Sequence, residues 1–215
     1  MNEPRRQFDR MIAGMPYRAP DAEIMALQSE AAQKYLRVNA TEGDADPTER
    51  LHLLRDAMGA FGESFLNPPV RWEYGRHVFV GDSCLINTNC LFMDGAEIRI
   101  GSFTLIGPNC SLLTAGHPVV PEERIRTNPT TGALDHAIAM NAPISIGSHC
   151  WIGAGSIVLG GVTIGDGTTV GAGSVVARSL PARVVAVGNP ARIVRELPPP
   201  AQTGGNAGET MEPVR

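Results

Sequence analysis

The chain has 215 residues, 43% of them hydrophobic, which is enough to bury one sizeable core and too much for a disordered chain. Its formal net charge is -4, from 18 basic and 22 acidic residues, and the basic residues are scattered beyond short pairs such as Arg5 and Arg6, so the concentrated basic face that nucleic acid needs is excluded. The start, "MNEPRRQFDRMIAG", has no long apolar stretch, and no run approaches the roughly 18 apolar residues of a spanning helix; a cytoplasmic protein without a membrane partner is expected.

In chain order, Ile24, Leu27, Ala31, Tyr35 and Val38 recur at helical spacing and predict an amphipathic helix. The stretch "DPTERLHLLRDAMGAFG" predicts a second, with Asp46 as cap, Pro47 at the first helical position and Glu49 three residues beyond the cap. Leu51, Leu54, Met58 and Phe61 then form one apolar stripe. Residues 8–62 thus read as helical, inside an N-terminal segment spanning 1–66.

A six-residue period follows. From Ile146 the chain divides into "IGSHCW IGAGSI VLGGVT IGDGTT VGAGSV VARSLP", with Ile or Val always first. An earlier block reads "VGDSCL INTNCL FMDGAE", then two extra residues, Ile98 and Arg99, then "IGSFTL IGPNCS LLTAGH". Such a slip predicts a bulge or a widened corner. A helix would sweep a six-residue apolar position around its axis. Three short strands per coil, with coils stacked as parallel sheets, use the period fully. A β-helix over residues 67–197 is therefore expected, with Gly and Asn permitting the turns.

All four cysteines, Cys84, Cys90, Cys110 and Cys150, fall at the fifth position of a hexad, where other repeats carry Ser156, Val162, Thr168 and Ser174. They read as small inward-facing filler and suit a reducing compartment. Between Pro118 and Pro143 the hexads vanish and a long loop is expected, rooted at His117. Repeat proteins place insertions on one face, often the binding face. The tail 198–215, "PPPAQTGGNAGETMEPVR", has Pro and Gly without apolar period and is expected to be disordered.

Several separated motifs, "AGMPY" at Ala13, "PPVRWEYG" at Pro68, "TAGHPV" at Thr114, "CWIGAGSIVLGGVTIGD" at Cys150 and "VAVGNPARIVRE" at Val185, resemble the maltose and galactoside O-acetyltransferase family over about residues 8–197. The resemblance implies a left-handed parallel β-helix assembled as a homotrimer, with sites between subunits and acetyl-coenzyme A as donor. It implies transfer to a sugar hydroxyl by direct attack in a ternary complex, with no metal required. His117 would be the general base, a role suited to a side chain whose ordinary pKa lies near neutrality. Asn87 would orient the acceptor or its developing charge, and Asp94, Glu73 and Asp21 would contact acceptor hydroxyls. The position after Asp94, often acidic in the galactoside branch, is Gly95 here. On the donor side the family positions are Trp151 against the pantetheine arm, the Ala154 backbone N–H toward the thioester oxygen, and Ala172 in a low wall. Ala177, Arg178, Arg192 and Arg195 complete that set, the arginines lining the nucleotide end.

Other readings share the stack. A carbonic anhydrase of this fold needs three histidines converging on a metal, and His52, His77, His117, His136 and His149 show no paired spacing. An antibiotic O-acetyltransferase is the enzymatic alternative, and a noncatalytic scaffold with His117 as a turn residue is the other.

Overall fold

The computed structural model describes residues 6–43 and 46–199. The expected tail falls outside these residues except for Pro198 and Pro199. Four helices, α1 (Gln7–Ile12), α2 (Ala22–Asn39), α3 (Thr48–Ala57) and α4 (Pro121–Arg124), accompany a parallel β-helix.

The β-helix is a three-sided prism. Its first face stacks Ala60–Phe61, Val78–Val80, Ile98–Ile100, Ile144–Ile146 and Thr163–Ile164. The second stacks Phe65–Leu66, Leu85–Ile86, Leu105–Ile106, Trp151–Ile152, Thr169–Val170 and Val184–Val187, capped by antiparallel Arg192–Glu196. The third stacks Val70–Trp72, Cys90–Met93, Ser111–Leu113, Ile157–Leu159 and Val175–Val176. Hexad Ile and Val residues point inward, and Ile86, Ile98, Ile106, Ile152, Val158, Val170 and Val176 are fully enclosed.

The cysteines occupy the same interior. Cys90 and Cys110 lie one rung apart in line with Ser156, and all four thiols are buried. Each Sγ donates to a carbonyl of the next turn: Cys84 to Gly101, Cys90 to Gly107, Cys110 to Gly153 and Cys150 to Gly165. Thr104 Oγ1 does the same to Gly147 at 2.8 Å. A small inward side chain is thus what the fifth position selects, and at all these positions except Val162 it can also donate to a carbonyl.

The helical segment differs from expectation in three places. Tyr17–Ala19 is a strand, and α3 ends at Ala57, so Met58 caps the helix and Phe61 already belongs to the first strand of the prism. The apolar stripe fails at Phe61 because Gly59 sits where a Cβ would lie 2.5 Å from the Arg76 carbonyl, tight against the first coil. The prism therefore starts at Ala60, inside the segment expected to be helical. The start of α3 also shifts by one: Pro47 is the N-cap, and Asp46 Oδ1 accepts from the Thr48 N–H at 2.9 Å. In α2, Ile24, Ala31 and Val38 are buried as their spacing predicts.

The two-residue slip is a widened corner. Ile86 pairs with Ile106, twenty residues on, whereas Ile146 pairs with Ile164, eighteen on. The extra residues fall where the third face turns into the first, at residues 73–77 and 94–97. Asp94 Oδ1 accepts from the N–H groups of Glu73 at 3.0 Å and Tyr74 at 2.8 Å, while Oδ2 accepts from that of His77 at 3.3 Å. The carboxylate binds one widened turn to the next.

Asp94→Asn presents an N–H₂ where Oδ2 meets a donor, leaving a buried donor unpaired. It should lower stability by about 1–3 kcal/mol, read in chemical denaturation; an unchanged midpoint would show that the turn does not depend on the carboxylate.

Candidate active site

At its third passage this same corner opens into the whole 118–143 excursion. The excursion is not an irregular loop. Leu134–Asn141 runs back antiparallel to Ala115–Gly116, pairing Ala115 with Asn141 and Gly116 with Met140. Ile125–Thr127 and Tyr17–Ala19 pair along it as well. A regular strand was hard to anticipate there because one partner of "LDHAIAMN", Tyr17–Ala19, comes from the far N-terminal segment of the chain. A small second core underlies it: Met11, Tyr17, Ile24, Tyr74 and Ala139 pack together.

His117 stands exposed at the root of this hairpin. Its Nδ1 lies 2.7 Å from the Ile138 carbonyl oxygen. A carbonyl can only accept, so Nδ1 carries the proton and the neutral ring keeps its lone pair on Nε2. Ile138 could not be found from sequence, because the group that acts is its backbone carbonyl; Tyr17 carried a signal in "AGMPY" but no role.

The expected acceptor contacts separate. Asp94 is 0% exposed, with its oxygens accepting from three backbone N–H groups, and it holds the corner. Burial pushes its carboxyl above the usual range, against the pull of those N–H groups and of His77. Asp21 caps α2, its Oδ1 accepting from Glu23 and Ile24 N–H groups. Both differ from expectation for one reason: an isolated Asp at a turn or helix start serves the backbone first. Glu73 is half-buried and accepts from Gln28 Nε2 at 2.7 Å. Burial raises its carboxyl above the ordinary range, Gln28 opposes this, and the Asp94 charge adds to it. Where a Cβ at Gly95 would stand, the Asn141 side chain fills the space, its Nδ2 only 2.4 Å from that point.

The donor-side residues lie elsewhere on the prism. Phe65, Leu85, Leu105 and Trp151 stack in register on the second face, exposed by 42%, 40%, 46% and 44%, and continue through Thr169 and Val185 to Arg195. At the corner beside this face, Asn87 lines up with Gly107 and Gly153, and Ala154 with Ala172. A Cβ on Gly107 would sit 2.6 Å from the Ala154 nitrogen and one on Gly153 2.5 Å from that of Ala172, so this edge is low. Asn87 Oδ1 accepts from the Thr88 N–H at 2.8 Å. Arg192 lies on the capping strand with Arg195, whereas Ala177 and Arg178 lie on the corner from which the His117 hairpin departs. One chain thus places His117 and Arg178 along one edge, and Asn87, Trp151, Ala154, Ala172 and Arg195 along another edge and the face beyond it. Among the described residues, the two sets are separated by the full third face.

The geometry offers an exposed imidazole, an exposed apolar stripe in line with Arg195, and a low backbone edge, with the imidazole and the stripe on different sides of one prism.

Residues 143–178 match the bacterial transferase hexapeptide (six repeats) model, and residues 10–62 the maltose acetyltransferase hexapeptide capping motif. Nodulation protein L of Rhizobium meliloti (strain 1021) is 40% identical over 88% of this chain and 98% of its own. The crystal structure of a maltose O-acetyltransferase from Clostridium difficile 630 superposes with a TM-score of 0.80 at 31% identity, covering 90% of this chain and 98% of that one. A hexapeptide-repeat acetyltransferase from Vibrio cholerae, solved with acetyl-coenzyme A, gives a TM-score of 0.76 at 34% identity over 90% of this chain and 100% of that one. In this chain the capping motif holds Tyr17 and α2 and the six repeats hold the later coils of the prism, and the chain is an acetyltransferase of the maltose and galactoside O-acetyltransferase family.

Proposed function

We propose that the protein transfers the acetyl group of acetyl-coenzyme A to a hydroxyl of a sugar-like acceptor, with His117 as general base. The observation that carries this reading is the Nδ1 bond of His117 to the Ile138 carbonyl, which fixes the tautomer whose Nε2 can take a proton. A sugar hydroxyl is too weak an acid to attack a thioester unaided at neutral pH. Nε2 removes its proton as the oxygen bonds to the thioester carbon; the carbonyl becomes an oxyanion, for which the Ala154 N–H at the low edge is a suitable donor. Collapse breaks the carbon–sulfur bond, and the imidazolium returns its proton to the coenzyme A thiolate. No acetylated enzyme is needed. Cys150, the thiol that follows the hairpin in sequence, is buried and raised above its ordinary pKa by that burial, which suits filler and not a nucleophile.

The second part of the reading is that the site forms between copies, as a homotrimer. It is supported by the separation of the two edges: the His117 edge of one chain completes the Trp151 face only if a neighbour brings it there. The exposed Phe65–Leu85–Leu105–Trp151 stripe is the larger apolar surface such a neighbour and a pantetheine arm would cover. Arg195 lies beyond Trp151 in line with that stripe, and Arg192 is on the same capping strand. The acceptor side falls to Asn87 and Glu73.

Thiol release from acetyl-coenzyme A in the presence of maltose, glucose or a galactoside should fall about 10²–10⁴-fold in kcat for His117→Ala; normal turnover would remove the base assignment. Cys150→Ser should keep kcat within about threefold, since a hydroxyl can still donate to the Gly165 carbonyl; complete loss in a folded variant would instead indicate an acyl-enzyme. Trp151→Ala should raise the KM for acetyl-coenzyme A about tenfold with a smaller change in kcat, and a KM effect confined to the sugar would misplace the donor.

A further inference from the structure

Helix α2 presents two apolar stripes. One, Ile24, Ala31 and Val38, is buried in packing. The other is not: Met25 is 55% and Leu36 53% exposed, and Ala32 lies between them at helical spacing. This second stripe borders a groove of about 820 Å³ between α2 and the third face, lined by Ala32, Tyr35 and Leu36 on one side and Leu91 and Met93 on the other. That volume is in the range of small-molecule pockets.

The groove has distinct ends. At one, Asn39 clamps the helix to the prism, Nδ2 donating to the Val70 carbonyl at 2.9 Å and Oδ1 accepting from its N–H at 2.8 Å. At the other, Gln28 bonds both Glu73 and the Tyr74 hydroxyl. Between Gln28 and Asn39 the walls run about 16 Å along the helix axis. Tyr35 is held edge-on against Trp72 at 5.8 Å between centroids, with Arg71 over its ring at 5.7 Å, so the gap is propped open by rigid groups. The polar end is the one that leads to the chemistry: Glu73 follows Trp72, which pairs with Phe92, and Met93 pairs with Leu113, four residues before His117. Glu73 therefore sits about two rungs, roughly 10 Å, from the root of the hairpin.

We propose that this groove is a subsite for the apolar tail of an amphiphilic acceptor: a glycoside whose sugar lies by Glu73 and Gln28 and whose alkyl or acyl chain lies along Ala32, Leu36, Leu91 and Met93. The proposal rests on the sugar-acceptor reading above and narrows it. A polar mouth at the acceptor side, an apolar length and a far end where Asn39 ties the helix to Val70 match a ligand with one hydroxylated and one hydrocarbon part. They do not match a free sugar, which would leave the apolar walls wet.

The test compares methyl and octyl β-glucosides as acceptors, both below micelle-forming concentrations, with acetyl-coenzyme A as donor. The octyl glycoside should have a KM at least about tenfold lower than the methyl glycoside. Leu36→Glu, at an exposed position that the fold does not need, and Ala32→Trp, which fills the groove, should each cut that ratio at least fivefold. Equal KM values for the two glycosides overturn the proposal, as does a Leu36→Glu variant that changes the mass of the assembly in sedimentation while leaving the ratio intact, which would assign the groove to a second copy of the chain. If no sugar is acetylated at all, the sugar reading fails separately, and calorimetric titration with octyl glucoside still decides the groove: saturable binding abolished by Ala32→Trp supports it, and absence of binding overturns it.

Discussion

Everything in this structure depends on each turn of chain returning in register onto the turn below. Inside a stacked parallel sheet, a backbone N–H without a partner has no water to turn to, so a coil may lengthen only where it can leave the stack and come back. Two of the three corners never lengthen: Gly, Asn and small residues hold them to the hexad count. The third corner takes every insertion, first at residues 73–77, then at 94–97, then as the hairpin after Thr114. Asp94 secures the first two by gathering three N–H groups on one carboxylate, and Tyr17–Ala19 secures the third by pairing with the returning strand.

Function follows from where that freedom was used. A prism of rigid faces offers flat walls, and chemistry needs a group that projects from them with a defined proton. The returning strand provides the definition, because Ile138 belongs to the hairpin and His117 to its root, so folding the excursion and fixing the imidazole tautomer are one event. The stripe from Phe65 through Leu85 and Leu105 to Trp151 uses the opposite property, a regular register that keeps outward side chains in a straight column. The two do not meet within one prism, which makes assembly part of the proposed chemistry.

Much of the architecture was legible in the sequence, since a six-residue period with Ile or Val at its first position admits few three-dimensional solutions. The inward cysteines, the core face of α2 and the widened corner at Ile98 could be read the same way. What was not legible is what long-range partners decide. "AMGAFG" continues a helical stripe on paper, yet packing against the first coil ends α3 at Ala57. "LDHAIAMN" looks like loop until Tyr17 is placed beside it. The acidic residues show the same limit: a carboxylate's type was plain, but whether it faces a ligand or a set of backbone N–H groups was not, and Asp94 and Asp21 turn inward to the backbone while Glu73 keeps a partly open face. Gly95 gains meaning only through Asn141, which fills the space beside it.

The central claim, that the hairpin prepares His117 as a base by binding its Nδ1–H, can be measured without any assay of turnover. Nitrogen-15 NMR of protein labelled at histidine, with His117→Ala used to assign the signal, reports which ring nitrogen carries the proton. The structure predicts a proton on Nδ1, donated to the Ile138 carbonyl, so that the neutral form of the ring leaves Nε2 unprotonated. A His117 signal showing the proton on Nε2 would contradict the account, because the nitrogen needed to accept a proton from the sugar would then already hold one.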